Sequence, residues 1–416
     1  MYSFVLFALL AGLQSAPMTL AQIEAEALAN NPEVLSLQEQ VRVAGATVDT
    51  ALAVEDPEFM YRAWGVPIRE PWNVNQTQHM FMFSQKLPSR SKRELRYLIA
   101  SDDQEIRSLA VESAKRELLG VVRRAFYQLL RSYDQLRLHH EQITLAEQAV
   151  GAARAKYTVG KSPQQDVLKA QIAYSGLADH ELMFLREADL ARAELNALMG
   201  RPLDQPLEVT GEYRVVDLLP SQLELEKIAF ENRPELQALV LMKSQADRKV
   251  QLAEKAYNPE YTVSAGYMLM PGGSMTRNAW MAELSVNLPW LNRGTHDAEI
   301  RVAQAEKLAT DADYQRQLVS IRLQIREAWL AADSARKVVE LYRDTMRPQA
   351  LTTLRATVAA YQTDQTDFLN LLDSQTMAID FQHRYFEALE TYEKSIADLE
   401  RAIGTSLPVL QARRPS

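Results

Sequence analysis

Three carboxylates and one amide recur at steps of three near the end of the chain, at Asp364, Asp367, Asn370 and Asp373. Residues three apart share roughly one face of a helix, so this spacing predicts a line of acidic side chains. Such a line would favour cations if it lay at a constriction, as rings of carboxylates do in cation channels. On the residues alone, an ordinary solvated helix face explains the same spacing equally well.

Methionines supply the second candidate chemistry, because a thioether is a soft ligand that suits copper(I) or silver(I). Methionine also fills packing or lipid-facing positions, which is its commoner use. The candidates are Met268, Met270, Met275 and Met281, with Met80 and Met82 beside His79 in an earlier segment.

Other chemistries find no support in the sequence. There is no phosphate-binding glycine loop, no zinc-protease motif and no nucleophile elbow, and cysteine is absent. The net charge of −8 argues against a nucleic-acid partner. The adjacent His139 and His140 lie in a charged helical context, so we expect both side chains to be solvated. The sequence therefore favours a protein that is not an enzyme and carries no cofactor.

The first residues resemble the apolar core of a secretory signal. The run from Tyr2 to Ala16 is apolar and ends in small residues, which predicts cleavage near Ala16. A buried N-terminal helix is the alternative. Further along the chain no stretch approaches the roughly 20 apolar residues that a membrane-spanning helix needs.

The chain is an internal duplication. Five landmarks return in the same order with a shift of 201 to 204 residues. Each half is predicted to contain a helix, a strand pair, a very long helix, a turn and a second long helix. The paired landmarks are Asn30-Asn31-Pro32-Glu33 with Asn232-Arg233-Pro234-Glu235, Asp56-Pro57 with Asn258-Pro259, Leu87-Pro88 with Leu288-Pro289, Tyr157 and Gln171 with Tyr361 and Gln375, and Met199-Gly200 with Ile403-Gly404.

This duplication predicts the domain boundaries. We expect a signal segment at 1–16, a first repeat at 17–205, a linker at 206–220, a second repeat at 221–405 and a tail at 406–416. Within the repeats, the predicted hairpins and long helices are, in order, about 58–87, 91–157 and 163–198, then about 260–288, 295–361 and 366–403.

The hairpin segments alternate with period two, most clearly in the second repeat. Tyr261, Val263, Ala265 and Tyr267 alternate with small or polar residues, and each strand has the length that a tilted strand needs to cross a bilayer. A soluble hairpin with one face on a core is the alternative. Two hairpins cannot close a barrel, and an open edge is not tolerated in lipid, so a membrane location requires several chains to pool their strands.

The turns between the long helices are the most informative functional segments. In the first turn we expect Gly160 in the turn, Ser162 as the cap of the next helix and Pro163 at its first position. A tight helical hairpin with no further role explains these residues as well as a docking site does. The candidate docking residues are Tyr157, Gly160, Lys161 and Ser162 in the first turn and Tyr361, Gln362 and Thr363 in the second.

The ordered set of landmarks resembles the TolC-like outer-membrane factor family over about residues 18–405. The resemblance implies a mainly α fold with a β-barrel part: a homotrimer with an α-barrel tunnel in the periplasm and one shared 12-stranded outer-membrane barrel, four strands per chain. The turns between the long helices would form the periplasmic entrance. They would contact a periplasmic adaptor (membrane fusion protein) and an inner-membrane pump. The two acidic positions that line this entrance in the family fall on Asn370 and Asp373, so one of them is uncharged here.

Finer detail resembles the members that are paired with heavy-metal resistance-nodulation-division pumps. The resemblance rests on Phe83-Ser84-Gln85-Lys86-Leu87-Pro88 and on Met270-Pro271-Gly272-Gly273 with Asn278-Ala279-Trp280-Met281. It implies a passive outer-membrane duct for heavy-metal cations. Type I protein secretion, multidrug efflux and a periplasmic coiled-coil adaptor or spacer remain as alternatives.

Overall fold

The computed structural model describes residues 16–72, 77–215, 219–269, 278–363 and 365–407. The chain forms two compact units. The first comprises the residues up to 35, 113–233 and those from 320 onward; the second comprises 36–112 and 234–319. The predicted signal segment lies outside the described residues apart from Ala16, as does most of the predicted tail 406–416.

The observed elements follow the order that the duplication predicts, and the mainly helical fold with a small sheet is confirmed. Long helices dominate because glycine is rare and the apolar residues recur at helical spacing. The elements are α1 (Leu20–Asn30), α2 (Pro32–Ala51), β1 (Glu58–Trp64), β2 (Gln78–Leu87), α3 (Arg90–Thr158), α4 (Gln164–Leu198), α5 (Gln222–Asn232), α6 (Pro234–Glu254), β3 (Tyr261–Leu269), β4 (Asn278–Val286), α7 (Arg293–Leu341), α8 (Arg347–Gln362) and α9 (Phe368–Ile403).

The two repeats begin with equivalent capping contacts. The Thr19 backbone N–H donates to Gln22 Oε1 over 2.9 Å, and the Ser221 N–H donates to Glu224 Oε2 over 2.9 Å. Each contact satisfies the backbone N–H of the cap residue, which helps to fix where α1 and α5 begin.

The two repeats also end alike. Helices α4 and α9 stop at glycines with positive φ, Gly200 at 70° and Gly404 at 74°. A Cβ atom on Gly200 would lie 2.9 Å from the Asn30 carbonyl oxygen, and one on Gly404 would lie 3.3 Å from the Asn232 carbonyl oxygen. Glycine is therefore required at both places by the backbone angle and by the close approach of another helix end, that of α1 at Gly200 and that of α5 at Gly404.

The four strands form one antiparallel sheet in the order β1-β2-β3-β4. The register pairs Tyr267 with Trp280 and Ala265 with Ala282, so the apolar alternations of β3 and β4 share one face, as the period-two pattern predicts. Strands β1 and β4 are the edges of this sheet. Residues 270–277, between β3 and β4, lie outside the described residues, and so do the candidate ligands Met270 and Met275.

The stretch predicted as one long helix over 295–361 is helical throughout, but it is not a single regular α-helix. A π-helical turn at Tyr342–Met346 separates α7 from α8, and Pro348 lies in the first turn of α8. Proline has no N–H to donate and its ring clashes with the carbonyl four residues earlier, so a regular helix cannot continue through it. The Arg347 N–H instead donates to the Tyr342 carbonyl, five residues back.

The first unit holds a core of long-helix side chains. Residues of α7 and α9 pack together there, including Val339, Leu389 and Tyr392, of which Val339 and Tyr392 are fully buried. Within the described part of the chain, no helix is long and apolar enough to span a bilayer.

Candidate functional site

The turn between α3 and α4 contains a glycine with a left-handed backbone conformation, which ends α3. Gly160 has φ of 72°, the Lys161 N–H donates to the Lys156 carbonyl over 2.9 Å, and the Gly160 N–H donates to the Tyr157 carbonyl over 3.0 Å. This pattern satisfies the last carbonyls of the helix. Tyr157, Gly160 and Lys161 are exposed to solvent.

Ser162 does not act as the predicted cap. The residue at the N-cap position is Pro163, α4 begins at Gln164, and the Ser162 hydroxyl is buried without a hydrogen-bond partner among the described residues. Helix α4 therefore starts one residue later than the sequence suggests, because Pro163 is extended (φ −72°, ψ 154°) and not helical.

The turn between α8 and α9 is stabilised by a side-chain cap at the start of α9. The Asp367 carboxylate accepts from the Asn370 N–H over 2.9 Å at the start of α9, and the Gln365 N–H donates to the Ala360 carbonyl over 2.9 Å. Gln362 and Thr363 are exposed. Asp364 lies outside the described residues.

Tyr361 occupies a different environment from its repeat equivalent Tyr157. Tyr361 is 8% exposed and packs on Phe368 with ring centroids 6.0 Å apart, whereas Tyr157 is 46% exposed. Lys156 Nζ donates to the Tyr361 carbonyl over 2.9 Å and lies 3.8 Å from the centre of its ring. Tyr361 therefore connects α8 to α3 through its contacts with Lys156. Because its side chain is buried, it offers little surface for docking.

The described residues of the acidic line have two different environments: Asp367 caps a helix, whereas Asn370 and Asp373 line a groove. Asn370 and Asp373 line a groove of about 420 Å³ between α8 and α9, together with Thr366 and Ser374. The Asn370 side chain donates to Thr366 Oγ1 over 3.2 Å, and Asp373 is exposed. Asp367 instead caps α9, where the positive end of the helix dipole compensates its charge. Of the described members of the line, Asp373 is the carboxylate that is available to a cation.

A second groove, of about 530 Å³, lies between α3, α8 and α9 in the same unit. Its wall is mostly apolar, with Lys156 and three glutamines at its margin. Its principal apolar residues are Leu145, Ala149, Ala152, Leu354, Val358 and Leu371.

The expectation that His139 is solvated is wrong, while His140 is exposed as expected. His139 is fully buried, and its ring lies edge-on to Phe184 with centroids 5.6 Å apart. The His383 ring also stacks on Phe184, with centroids 5.4 Å apart, and burial lowers the pKa of His383 to about 4. In the described ranges, no group of three histidine, cysteine, aspartate or glutamate side chains could hold a metal ion.

Sequence reasoning also missed a buried carboxylate beside the linker between the repeats. Glu393 accepts a hydrogen bond from the Arg214 N–H and another from the Tyr127 hydroxyl. Burial raises the pKa of Glu393 to about 7. The sequence did carry a signal, because Glu393 lies four residues after Leu389 and next to Tyr392, on the apolar face that the helical spacing predicts.

Residues of the predicted linker 206–220 pack on the helices around this carboxylate. The Tyr213 hydroxyl donates to Asp134 Oδ2 over 3.2 Å, and its ring lies 5.9 Å from that of Tyr127. The Tyr133 hydroxyl donates to the Leu207 carbonyl over 3.0 Å, and Leu207 is 2% exposed. This segment is therefore a packed part of the first unit wherever it is described.

The sequence and the fold both match known proteins. A family model described as "Outer membrane efflux protein" matches residues 24–201 and 225–405, which is most of both repeats. The outer membrane protein TolC of Vibrio cholerae is 21% identical over 411 residues, covering 93% of this chain and 90% of that protein. The solved structure of CusC, described in terms of folding and transmembrane channel formation, has a TM-score of 0.78 at 16% identity and covers 93% of this chain and 92% of its own.

A further relative is matched over less of its length. The toxin and drug export protein A of Aggregatibacter actinomycetemcomitans is 20% identical over 302 residues, which is 68% of this chain. The match spans about 65% of that relative.

Proposed function

Because the chain belongs to the outer membrane efflux protein family and its location is therefore the outer membrane, we propose that it is one subunit of a passive exit duct. The family match over both repeats carries this proposal. The duct opens to the outside through the strands and extends into the periplasm through the helices. It binds no nucleotide and catalyses no covalent step.

The assembly we propose is a homotrimer. The sheet of one chain has two open edges, β1 and β4, and its aromatic face suits lipid. Backbone groups at an open edge have no partner in a bilayer, so a single chain could not be stable there. Three chains that pair β4 of one with β1 of the next would close a barrel of 12 strands.

We propose that the turns between α3 and α4 and between α8 and α9 form the periplasmic entrance. The exposed Tyr157, Gly160 and Lys161, with Gln362 and Thr363, supply the surface for a periplasmic adaptor, and an inner-membrane pump of the resistance-nodulation-division class delivers the cargo. Heavy-metal cations are the proposed cargo, supported by the likeness around Phe83 to Pro88. Multidrug efflux or type I secretion is the second candidate, favoured by the relative named as a toxin and drug export protein.

The duct is tested by expression, membrane fractionation and planar-bilayer recording. We expect the protein in the outer-membrane fraction, a heat-sensitive trimer on gels and discrete conductance steps. A soluble periplasmic monomer would overturn the proposal. Tolerance of cells to copper or silver salts, compared with tolerance to hydrophobic drugs, separates the two cargo classes when the chain is expressed with its pump and adaptor.

The acidic entrance is tested separately with Asp373→Asn. Three copies of Asp373 at a constriction would favour cations over anions, so the substitution should reduce the cation preference of the pore several-fold. Asp380→Asn, on the exposed part of the same helix, is the matched control. An unchanged reversal potential in a salt gradient would place Asp373 on an ordinary solvated face.

A further inference from the structure

The methionines of the described strands lie on one face of the sheet. In an antiparallel sheet, directly paired residues point to the same side, and so do residues two apart along a strand. The register aligns Met60 with Met82, Gly266 and Met281 in one row, and Arg62 with Met80 and Met268 in the next. We call these five thioethers the methionine face: Met60, Met80, Met82, Met268 and Met281.

The opposite face of the same strands has a different chemistry. It carries aromatic and aliphatic side chains such as Tyr267 and Leu284, and its most prominent member, Trp280, is 84% exposed. No methionine of the described strands lies on it. If methionine only filled lipid-facing positions here, it would occur on this apolar face. It occurs instead on the face that also carries Ser84, Ser264 and Glu283.

A gap between two of the thioethers is built into the backbone. Gly266 lies between Met82 and Met281 in their row, and a Cβ atom there would be 2.6 Å from the Phe81 carbonyl oxygen. Only glycine fits at that distance. The side chains of Met82 and Met281 therefore flank a position where no side chain can stand, and neighbouring strands are about 4.8 Å apart, so both flexible chains can reach across it.

The charged side chains next to this row lie at its margins. The Arg62 guanidinium donates to Met60 Sδ over 3.5 Å, which places one positive charge at the β1 margin of the methionine face. The row on its other side carries Glu58 and Glu283 at its two ends, with Ser84 and Ser264 hydrogen-bonded over 3.0 Å between them. A monovalent cation at the Gly266 gap thus lies on the Glu283 side, away from Arg62.

We propose that the methionine face binds copper(I) or silver(I), with Met82 and Met281 as its principal ligands across Gly266. Thioethers select these soft monovalent ions over hard ions such as magnesium or calcium. The placement of this face inside a duct rests on the proposed function, whereas ligation of the metal does not. Binding of a transported ion must also be weak enough for release, so a site of a few thioethers without cysteine suits a passage better than a store.

Silver(I) is the probe, since it needs no reductant. The purified full-length protein in detergent is titrated calorimetrically with silver nitrate in chloride-free buffer. Leucine conserves the volume of methionine, so Met82→Leu with Met281→Leu should weaken silver binding by at least about tenfold. The control is Met183→Leu with Met242→Leu, two exposed helix methionines, and it should bind silver as the unmodified protein does.

Three outcomes would overturn the inference: no silver binding by the unmodified protein, equal binding by the Met82/Met281 variant, or an equal loss in the control. Metal-free conductance in planar bilayers is recorded for every variant. Pores without silver binding would reject the methionine face and leave the duct intact. Silver binding without pores would reject the duct and leave the methionine face intact.

Discussion

At the residue scale, Glu393 shows how burial makes the stability of the first unit depend on pH. Its pKa is raised by burial from 4.5 to about 7. Between these values the folded protein holds a proton that the unfolded chain has lost. The resulting stabilisation is complete below pH 4.5 and is lost as the pH rises through 7.

We therefore expect Glu393→Gln to leave the melting temperature nearly unchanged at pH 5 and to raise it at pH 8. The neutral amide removes the cost of a buried charge, which the pKa shift sets at roughly 3 kcal/mol. Thermal unfolding of the detergent-solubilised protein at both pH values measures the effect, with the exposed Glu387→Gln on the same helix as the control. Equal shifts at pH 5 and pH 8 would contradict the assignment.

The pKa of His383 is shifted downward, so its contribution to stability depends on pH in the opposite direction to that of Glu393. Its pKa is lowered by burial to about 4, so the unfolded chain binds the proton more tightly between pH 4 and 6.5. The stabilisation that neutral His383 provides is present above pH 6.5 and is lost as the pH falls through 4. Comparing Glu393→Gln with the unmodified protein at each pH cancels this term, because both proteins keep His383.

At the element scale, the paired glycines after α4 and α9 fix where each repeat ends. Gly404→Ala places a Cβ atom near Arg116 Nη1 and the Asn232 carbonyl oxygen in a left-handed backbone. We expect it to lower stability by about 1–3 kcal/mol. Gly176→Ala, inside α4 with no atom near its Cβ position, should raise stability by about 0.5–1 kcal/mol. Chemical denaturation measures both, and destabilisation by Gly176→Ala would show that glycine is needed there too.

Element order was predictable from sequence because each boundary has a local cause. Thr19 with Gln22 caps α1, Gly404 ends α9, and the alternation around Tyr267 marks a strand. The differences arise where tertiary packing decides. Tyr157 and Tyr361 are equivalent in sequence, yet Tyr361 is buried because Lys156 and Phe368 surround it.

The missed features follow the same logic. His139 is buried because Phe184 of α4 and His383 of α9 converge on α3, and neither neighbour is close in sequence. The methionine face likewise depends on the pairing of β2 with β3, which the alternation within each strand does not reveal.

At the scale of the whole molecule, the two faces of the sheet should respond differently to charge. Ala282→Lys places an ammonium on the aromatic face at the middle of β4, and a lysine facing lipid near the bilayer midplane costs about 2–4 kcal/mol. We expect a loss of assembled trimer from the outer-membrane fraction. Ser285→Lys, on the other face of β4, should leave assembly unchanged, since that face would line water. Equal effects on gel-resolved trimer would contradict the orientation of the sheet.

The order of the strands has a kinetic consequence. Each hairpin joins neighbouring segments, but β2 pairs with β3 through residues such as Ser84 and Ser264, which are 180 positions apart. Closing so long a loop is entropically slow, and contacts of high sequence separation form late in folding. The centre of the sheet must therefore wait until the second repeat has been synthesised and exported. During that interval the β2 edge of the first hairpin has no partner strand, and a holding chaperone would prevent its aggregation.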